Sequence, residues 1–564
     1  MEYKKNQVVT VTITDMDDDG NGIGKIDGYI LFIKDTVIGD TVEAKIIKVK
    51  KNYSYAIATK IITPSADRVP LKCPVGKSCG GCQLQALNYE SQLQFKYNKV
   101  FNDLVRIGGV DADYLKVIME PVVGMENPWN YRNKSQYPVG LNKDGEIIAG
   151  FYAGRTHSII SFPECHIATL SDKAILDVIL KWAGDMNVRP YDETSQTGLL
   201  RHILIRTAVH TGEIMVCLII NGESLGEKEN SLISSLKKVD GIASVCINVN
   251  KKNTNVIMGD RTYCIYGKDK IEDIMVPCNV SGNEFVPTRR EVKFLISARS
   301  FYQVNPIQTQ KLYSIALDYA GLTGNEEVWD LYCGIGTISL FMASSARKVG
   351  GVEVVGDAIR DAKENAAING IENAEFIEGK AEEILPEYYE KGISKPDVIM
   401  VDPPRKGCDE KCLDTMVRMQ PSRIVYVSCN PASLARDIKF LTANGYELKK
   451  VRPVDMFGHT VHVETVVLLS QQKPDDHIEI EIDLDEIDAT RAETKATYEE
   501  IRNWVQEMYG FHVTNLNIAQ VKQKHGIIER ENYNKSKSEN SRQPGCPEEK
   551  IRAIENALKF FQMI

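Results

Sequence analysis

The chain has 564 residues, 43% of them hydrophobic and 26% charged, with a net charge of −9. That length exceeds a single core and predicts three or four domains. No apolar run is long enough to span a bilayer, and Met1-Glu2-Tyr3-Lys4-Lys5 leads into Val-Thr alternation rather than an apolar signal core, so a cytoplasmic protein without a membrane partner is expected. The acidic balance disfavours a nucleic-acid partner only superficially. From Asp475 onward there are 18 acidic and 12 basic residues, which leaves −3 for residues 1–474 and room for a local basic face. Thirteen cysteines, an odd count in a long chain, argue for metal or catalytic use of some thiols rather than a disulfide framework.

Residues 1–60 read as short strands (Val8–Thr14, Tyr29–Lys34, Thr41–Val49) around the turn Asp19-Gly20-Asn21-Gly22. So many strands in so short a span predict a small closed barrel. Lysines 45, 48, 50 and 51 are followed closely by Tyr53 and Tyr55, a mix of cations and aromatics that suits phosphate contact with base stacking. Residues 61–300 form a mixed α/β region opened by Cys73-Pro-Val-Gly-Lys-Ser-Cys79-Gly-Gly-Cys82. Three thiols that close call for a fourth ligand, and Cys165 in Phe162-Pro163-Glu164-Cys165-His166 is the best candidate. Four thiolates suit zinc or an iron–sulfur cluster, and spacing alone does not choose between them.

Residues 301–472 alternate strands and helices as a doubly wound sheet does. Asp330-Leu-Tyr332-Cys-Gly334-Ile-Gly336-Thr337 is a strand-to-helix turn with Gly-x-Gly, short of a pyrophosphate fingerprint. The following strand ends in Glu353, placed to accept ribose hydroxyls. Together they favour an adenosine cofactor without a diphosphate, hence S-adenosylmethionine over NAD. Asp402-Pro-Pro-Arg405 closes the next apolar strand, and Ile424–Ser428 runs into Cys429-Asn430-Pro431. Pro431 prevents the strand from continuing, so the Cys429 thiol is expected at the carboxyl edge, where such sheets bind ligands. The alternation His459-Thr-Val-His462-Val-Glu464 predicts a strand with His462 and Glu464 on one face. Residues 473–564 read as an acidic run (Glu479 to Asp488), helices at Thr497–Met508 and Asn515–His525, a polar linker (Glu529–Gly545) and a last helix, Pro547–Phe561. This extension is either a partner- or RNA-docking module or an accessory without catalytic importance.

With these motifs, joined by Ser300-Phe301-Tyr302-Gln303-Val304-Asn305 and His462-Val-Glu464-Thr-Val466, residues 7–470 closely resemble the RNA uracil-C5 methyltransferases of the TrmA/RlmD (RumA) type. The resemblance implies a multidomain α/β protein: an OB-like TRAM barrel, a central iron–sulfur domain, a Rossmann-like S-adenosylmethionine methyltransferase domain and a small helical extension. It implies cofactor contacts from Gln303, Tyr332, Glu353 and Asp402, and a 4Fe-4S cluster on Cys73, Cys79, Cys82 and Cys165. Lys380 stands where relatives place Asn, so that contact is not carried over. A barrel together with a cysteine cluster points to 23S rRNA rather than tRNA as substrate.

Uracil C5 is too poor a nucleophile to take a methyl group unaided. A thiolate adding at C6 makes it one, so Cys429 is expected as nucleophile and Glu464 as the base that later removes the C5 proton. The chain is expected to act as a monomer. The rival expectations are a tRNA uridine as substrate and a non-catalytic RNA-binding assembly factor.

Overall fold

In the computed structural model, residues 3–154, 156–162, 164–392, 395–472, 496–525, 527, 546–561 and 563–564 are described. The acidic run at 479–488, all of the linker at 529–545 and Pro163 lie outside them. The chain forms two units, Met1–Lys473 and Pro474–Ile564.

The first unit begins with a closed five-stranded barrel: Val8–Met16, Gly22–Ile26, Tyr29–Lys34, Thr41–Val49 and Tyr53–Thr63. Alternate residues of its strands, among them Val11, Ile13, Leu31, Ile33, Val42, Ala44 and Ile46, point inward and fill it. Closure leaves no unpaired edge. The last strand runs to Thr63, three residues past the division drawn at 60.

A seven-stranded sheet follows, in the order Arg261–Gly267, Ile242–Val249, Ile214–Ile220, Leu200–Thr207, Lys134–Leu141, Ile147–Tyr152 and Ile159–Ser161. Its interior strand Ile214–Ile220 is buried throughout. Ile214, Val216, Leu218 and Ile220 pack with helices Ser171–Asp185 and Glu229–Leu236. Met215, Cys217 and Ile219 face the other way, into a core shared with Leu312, Phe341, Val398 and Val425. Period-two geometry thus makes one unbroken apolar run serve two cores. Helix Tyr89–Arg106 likewise sends Val100 and Leu104 into a core with Trp329, Ile399 and Tyr426. Hydrophobic packing therefore runs continuously across position 300.

The second sheet has strands β1 (Glu327–Asp330), β2 (Lys348–Glu353), β3 (Ala374–Glu378), β4 (Val398–Val401), β5 (Arg423–Ser428), β6 (Tyr446–Val454) and β7 (Glu464–Gln471). Their order is β3-β2-β1-β4-β5-β7-β6. β1 through β5 pair in parallel, and β7 is antiparallel to both β5 and β6. The order reverses between β1 and β4, which opens a crevice beyond the carboxyl ends of those strands. Because β7 runs backwards, its first residue arrives at the same edge as the last residues of β1 through β5. Among the described residues no helix is long and apolar enough to cross a membrane.

The second unit has helices Tyr498–Tyr509, Asn515–Lys524 and Glu548–Phe560, close to the expected spans. Thr497 with Glu500, and Thr514 with Asn517, form capping boxes, and Gly510 ends the first helix at φ +74°. Ile501, Val505, Ile518, Val521, Ile554 and Leu558 give it a core of its own.

Candidate active site

Each sheet residue of interest owes its place to the strand that ends beside it. Asp330 and Glu353 are the last residues of β1 and β2, Asp402 follows β4, Cys429 follows β5, and Glu464 opens β7. All five line one cavity of about 1090 Å³, together with Gln303, Tyr332, Arg405 and His462. The final ladder pair of β5 and β7 is Ser428 with Thr465, so Cys429 and Glu464 come next in register. Directly opposed residues of an antiparallel pair share a face, about 5 Å apart at Cβ.

The cavity has two chemical ends. At one, Asp330 is 1% exposed; its Oδ2 accepts from Ser339 Oγ at 2.6 Å, while Oδ1 is buried without a partner. Burial, then the charge of Glu353, holds the Asp330 carboxyl up at about 6. Burial and the charge of Asp330 push Asp402 up to about 7. Gly334 (φ +53°) borders this end, where a Cβ would meet nothing within 4 Å. Crowded carboxyls, an orphaned carboxylate oxygen and open backbone fit a ligand that is cationic and carries hydroxyls.

At the other end sit the thiol and its partner. Burial, then the negative charges of Glu464 and Asp402, push Cys429 up to about 12. Glu464, 3% exposed, is raised well above the carboxylate range by burial and by Asp402. The Arg405 guanidinium opposes both shifts. Its backbone carbonyl accepts from Asn430 Nδ2 and Ser433 Oγ, each at 3.1 Å, which ties the Asp402–Arg405 loop to the Cys429 turn. Sequence reasoning gave Arg405 no role; its one signal was membership of the Asp402-Pro-Pro-Arg405 run. His462 is held neutral, pushed down to about 4 by burial and by nearby cations led by Arg405.

The expected strand over His459–Glu464 is not formed. β7 starts at Glu464, and His459 takes a left-handed φ of +67°. Its N–H donates to Gln92 Oε1 (3.0 Å) and its carbonyl accepts from Leu84 N–H (2.9 Å), so the segment bonds to helix and loop rather than to a ladder. His462 and Glu464 still share the cavity wall.

Cys73, Cys79, Cys82 and Cys165 are free thiols around one small adjoining cavity, and the last three also border the large one. Cys82 is pushed up to about 12 by burial and then by Cys165, Cys79 and Cys73, so the four sulfurs feel one another. Soft donors converging this way fit a thiophilic metal centre. Among the described residues, however, no group of three or more His, Cys, Asp or Glu side chains is placed to hold a metal ion. The metal expectation thus finds convergent ligand types but no formed ligand set.

Comparison with known proteins bears on what this geometry is. Residues 264–472 match the family profile described as tRNA (Uracil-5-)-methyltransferase, and residues 3–59 match the TRAM domain. An RNA methyltransferase of Halalkalibacterium halodurans is 48% identical over 465 residues, 82% of this chain and 97% of that protein. One of Clostridium tetani is 46% identical over 467 residues, covering 83% and 97%. The chain belongs to the RNA uracil-5-methyltransferase family. Among solved structures, this family member is similar to the Pyrococcus abyssi tRNA (uracil-54, C5)-methyltransferase in complex with S-adenosyl-L-homocysteine. The two share 26% identity with a TM-score of 0.63, over 82% of this chain and 100% of that one. A tRNA enzyme thus matches this architecture along its whole length.

Proposed function

We propose that this chain methylates uridine at C5 in RNA, with Cys429 as nucleophile, Glu464 as base and S-adenosylmethionine as methyl donor. The observation carrying this reading is that Cys429 and Glu464 line one cavity together with Gln303, Tyr332, Glu353 and Asp402. A non-catalytic assembly factor has no use for such a pair.

Cys429 gives up its thiol proton to solvent and adds to C6 as thiolate: the sulfur–carbon bond forms, and the ring's double-bond pair shifts to C5 and the C4 carbonyl as an enolate. The donor, when bound, supplies a methyl group on a cationic sulfur, and C5 takes it. Glu464 removes the C5 proton, the C5–C6 double bond re-forms, and Cys429 leaves as thiolate. Arg405 favours the anionic forms of both groups. Glu353 serves the ribose hydroxyls, and Asp402 and Asp330 serve the cationic end of the donor. Cys73, Cys79, Cys82 and Cys165 are the residues that would hold a 4Fe-4S cluster, a soft centre shaping the RNA-binding wall; no step passes through it.

The target base has to leave its stack to reach Cys429. Phe32, Tyr53 and Tyr55 cluster on the barrel, with ring centroids 5.5–5.6 Å apart, near the lysine-rich edge. That surface suits single-stranded RNA. We take 23S rRNA as the substrate. The second reading, tRNA, is favoured by the Pyrococcus abyssi neighbour. Mapping 5-methyluridine in both RNAs from a strain lacking the gene decides between them. Loss from 23S rRNA, restored by the wild type but not by Cys429→Ala, supports the proposal. Loss from tRNA alone reassigns the substrate, and no loss from either overturns the function.

A further inference from the structure

The segment from Asp455 to Val463 is neither helix nor strand, yet it walls the cavity with Phe457, Thr460 and His462 and delivers Glu464. Side chains from distant parts of the chain hold it. Asp455, fully buried, accepts from Lys96 Nζ at 2.5 Å and from the Tyr89 hydroxyl at 2.8 Å. Tyr131 donates to the Gly458 carbonyl at 3.1 Å. His459 is the most constrained member, 4% exposed and left-handed at φ +67°. Gln92 grips it twice, through its N–H and at Nδ1 (3.2 Å), and Leu84 N–H meets its carbonyl. Its ring stacks on Trp129 with centroids 3.7 Å apart, and Trp129 meets the edge of His166. Leu84 lies two residues beyond Cys82 and His166 one beyond Cys165, so the thiol-bearing segments brace this turn.

We propose that His459 is a positioning residue for Glu464: the Trp129 stack and the Gln92 clamp hold the left-handed turn that sets the reach of the carboxylate to the C5 proton. The inference rests on Glu464 being the base. A non-glycine residue keeps positive φ only where its surroundings over-determine it. Once the stack is lost, the turn relaxes and the residues after it swing with it. Cys429 follows a different strand, its turn tied down through Asn430 and the Arg405 carbonyl, and does not depend on His459. Addition and elimination therefore separate. Elimination takes the C5 proton onto Glu464, returns that bonding pair to C5–C6 and breaks the C6–sulfur bond; only this step needs the turn.

The test uses the full chain with transcribed 23S rRNA, bulk tRNA from the deletion strain and radiolabelled S-adenosylmethionine. Rapid quench follows formation of the denaturant-stable protein–RNA adduct and its decay to 5-methyluridine. His459→Gly keeps the backbone free to be left-handed but removes the ring. It is expected to form adduct at close to the wild-type rate and to resolve it roughly ten- to a hundredfold more slowly. Trp129→Leu is expected to do the same. His459→Asn tolerates the left-handed turn and can still bond to Gln92 but cannot stack on Trp129, so its decay is expected to be faster than that of His459→Gly and still slower than wild type. Unchanged decay in both His459→Gly and Trp129→Leu overturns the inference, as does equal slowing of both steps. Glu464→Gln is the control: if it accumulates no adduct on either RNA, the assigned base has failed rather than its positioning.

Discussion

Cys429, which follows β5, and Glu464, which opens β7, flank the last paired residues of the two strands, Ser428 and Thr465. This brings a thiol and a carboxyl group, distant in sequence, to one sheet edge. Burial and the charge of Asp402 make both groups harder to ionise, and the charge of Glu464 adds to the cost for Cys429.

Removing the base should therefore trap the intermediate. Glu464→Gln keeps shape and bonding capacity but cannot take the C5 proton. Adduct should accumulate to near-stoichiometric levels on denaturing gels, with release of 5-methyluridine slowed about 10²–10⁴-fold. Normal turnover without adduct would assign the base elsewhere.

Cofactor affinity should depend on pH with a definite sign. Asp402 sits at about 7 and must be charged to face a sulfonium. S-adenosylmethionine should bind about tenfold more tightly at pH 8 than at pH 6, with proton release on binding. S-adenosylhomocysteine, which lacks the sulfonium charge, should show a weaker trend. In the free protein the sign reverses. A raised carboxyl contributes stability below its unfolded value near 4, and that contribution is lost as pH rises through about 7. Asp402→Asn should thus melt higher than wild type at pH 8 while binding the cofactor worse. Calorimetry reads both, and a flat affinity profile would refute the assignment.

Lys96 and Asp455 form an ion pair with neither side chain exposed, joining helix Tyr89–Arg106 to the loop before β7. Lys96→Met strands a buried carboxylate and should destabilise the first unit by about 3–5 kcal/mol. Lys96→Met with Asp455→Asn should recover much of it. A loss below about 1 kcal/mol in urea unfolding would show that Tyr89 and water suffice for Asp455.

The cysteine set makes a separable prediction. Anaerobically purified protein should be brown and carry iron and sulfide, and Cys82→Ser or Cys165→Ser should lose both. Colourless protein with stoichiometric zinc would overturn the cluster and leave the Cys429 chemistry untouched.

Much of the site could be read locally. An apolar run stopped by Pro431 puts Cys429 at a strand end, Gly334 and Gly336 mark the first turn, and Glu353 follows the next strand, because strand termination and turn chemistry are short-range. The barrel was legible for the same reason: alternation and turns repeat within some sixty residues. The run at His459–Glu464 misled, since its alternation is real but its hydrogen bonds go to Gln92 and Leu84, which no local pattern contains. Nor does any local pattern show that Ile214–Ile220 feeds two cores, that Lys96 meets Asp455, or that an antiparallel last strand turns Glu464 to face Cys429. Those depend on pairing, burial and charge between distant segments, and only the folded chain brings them together.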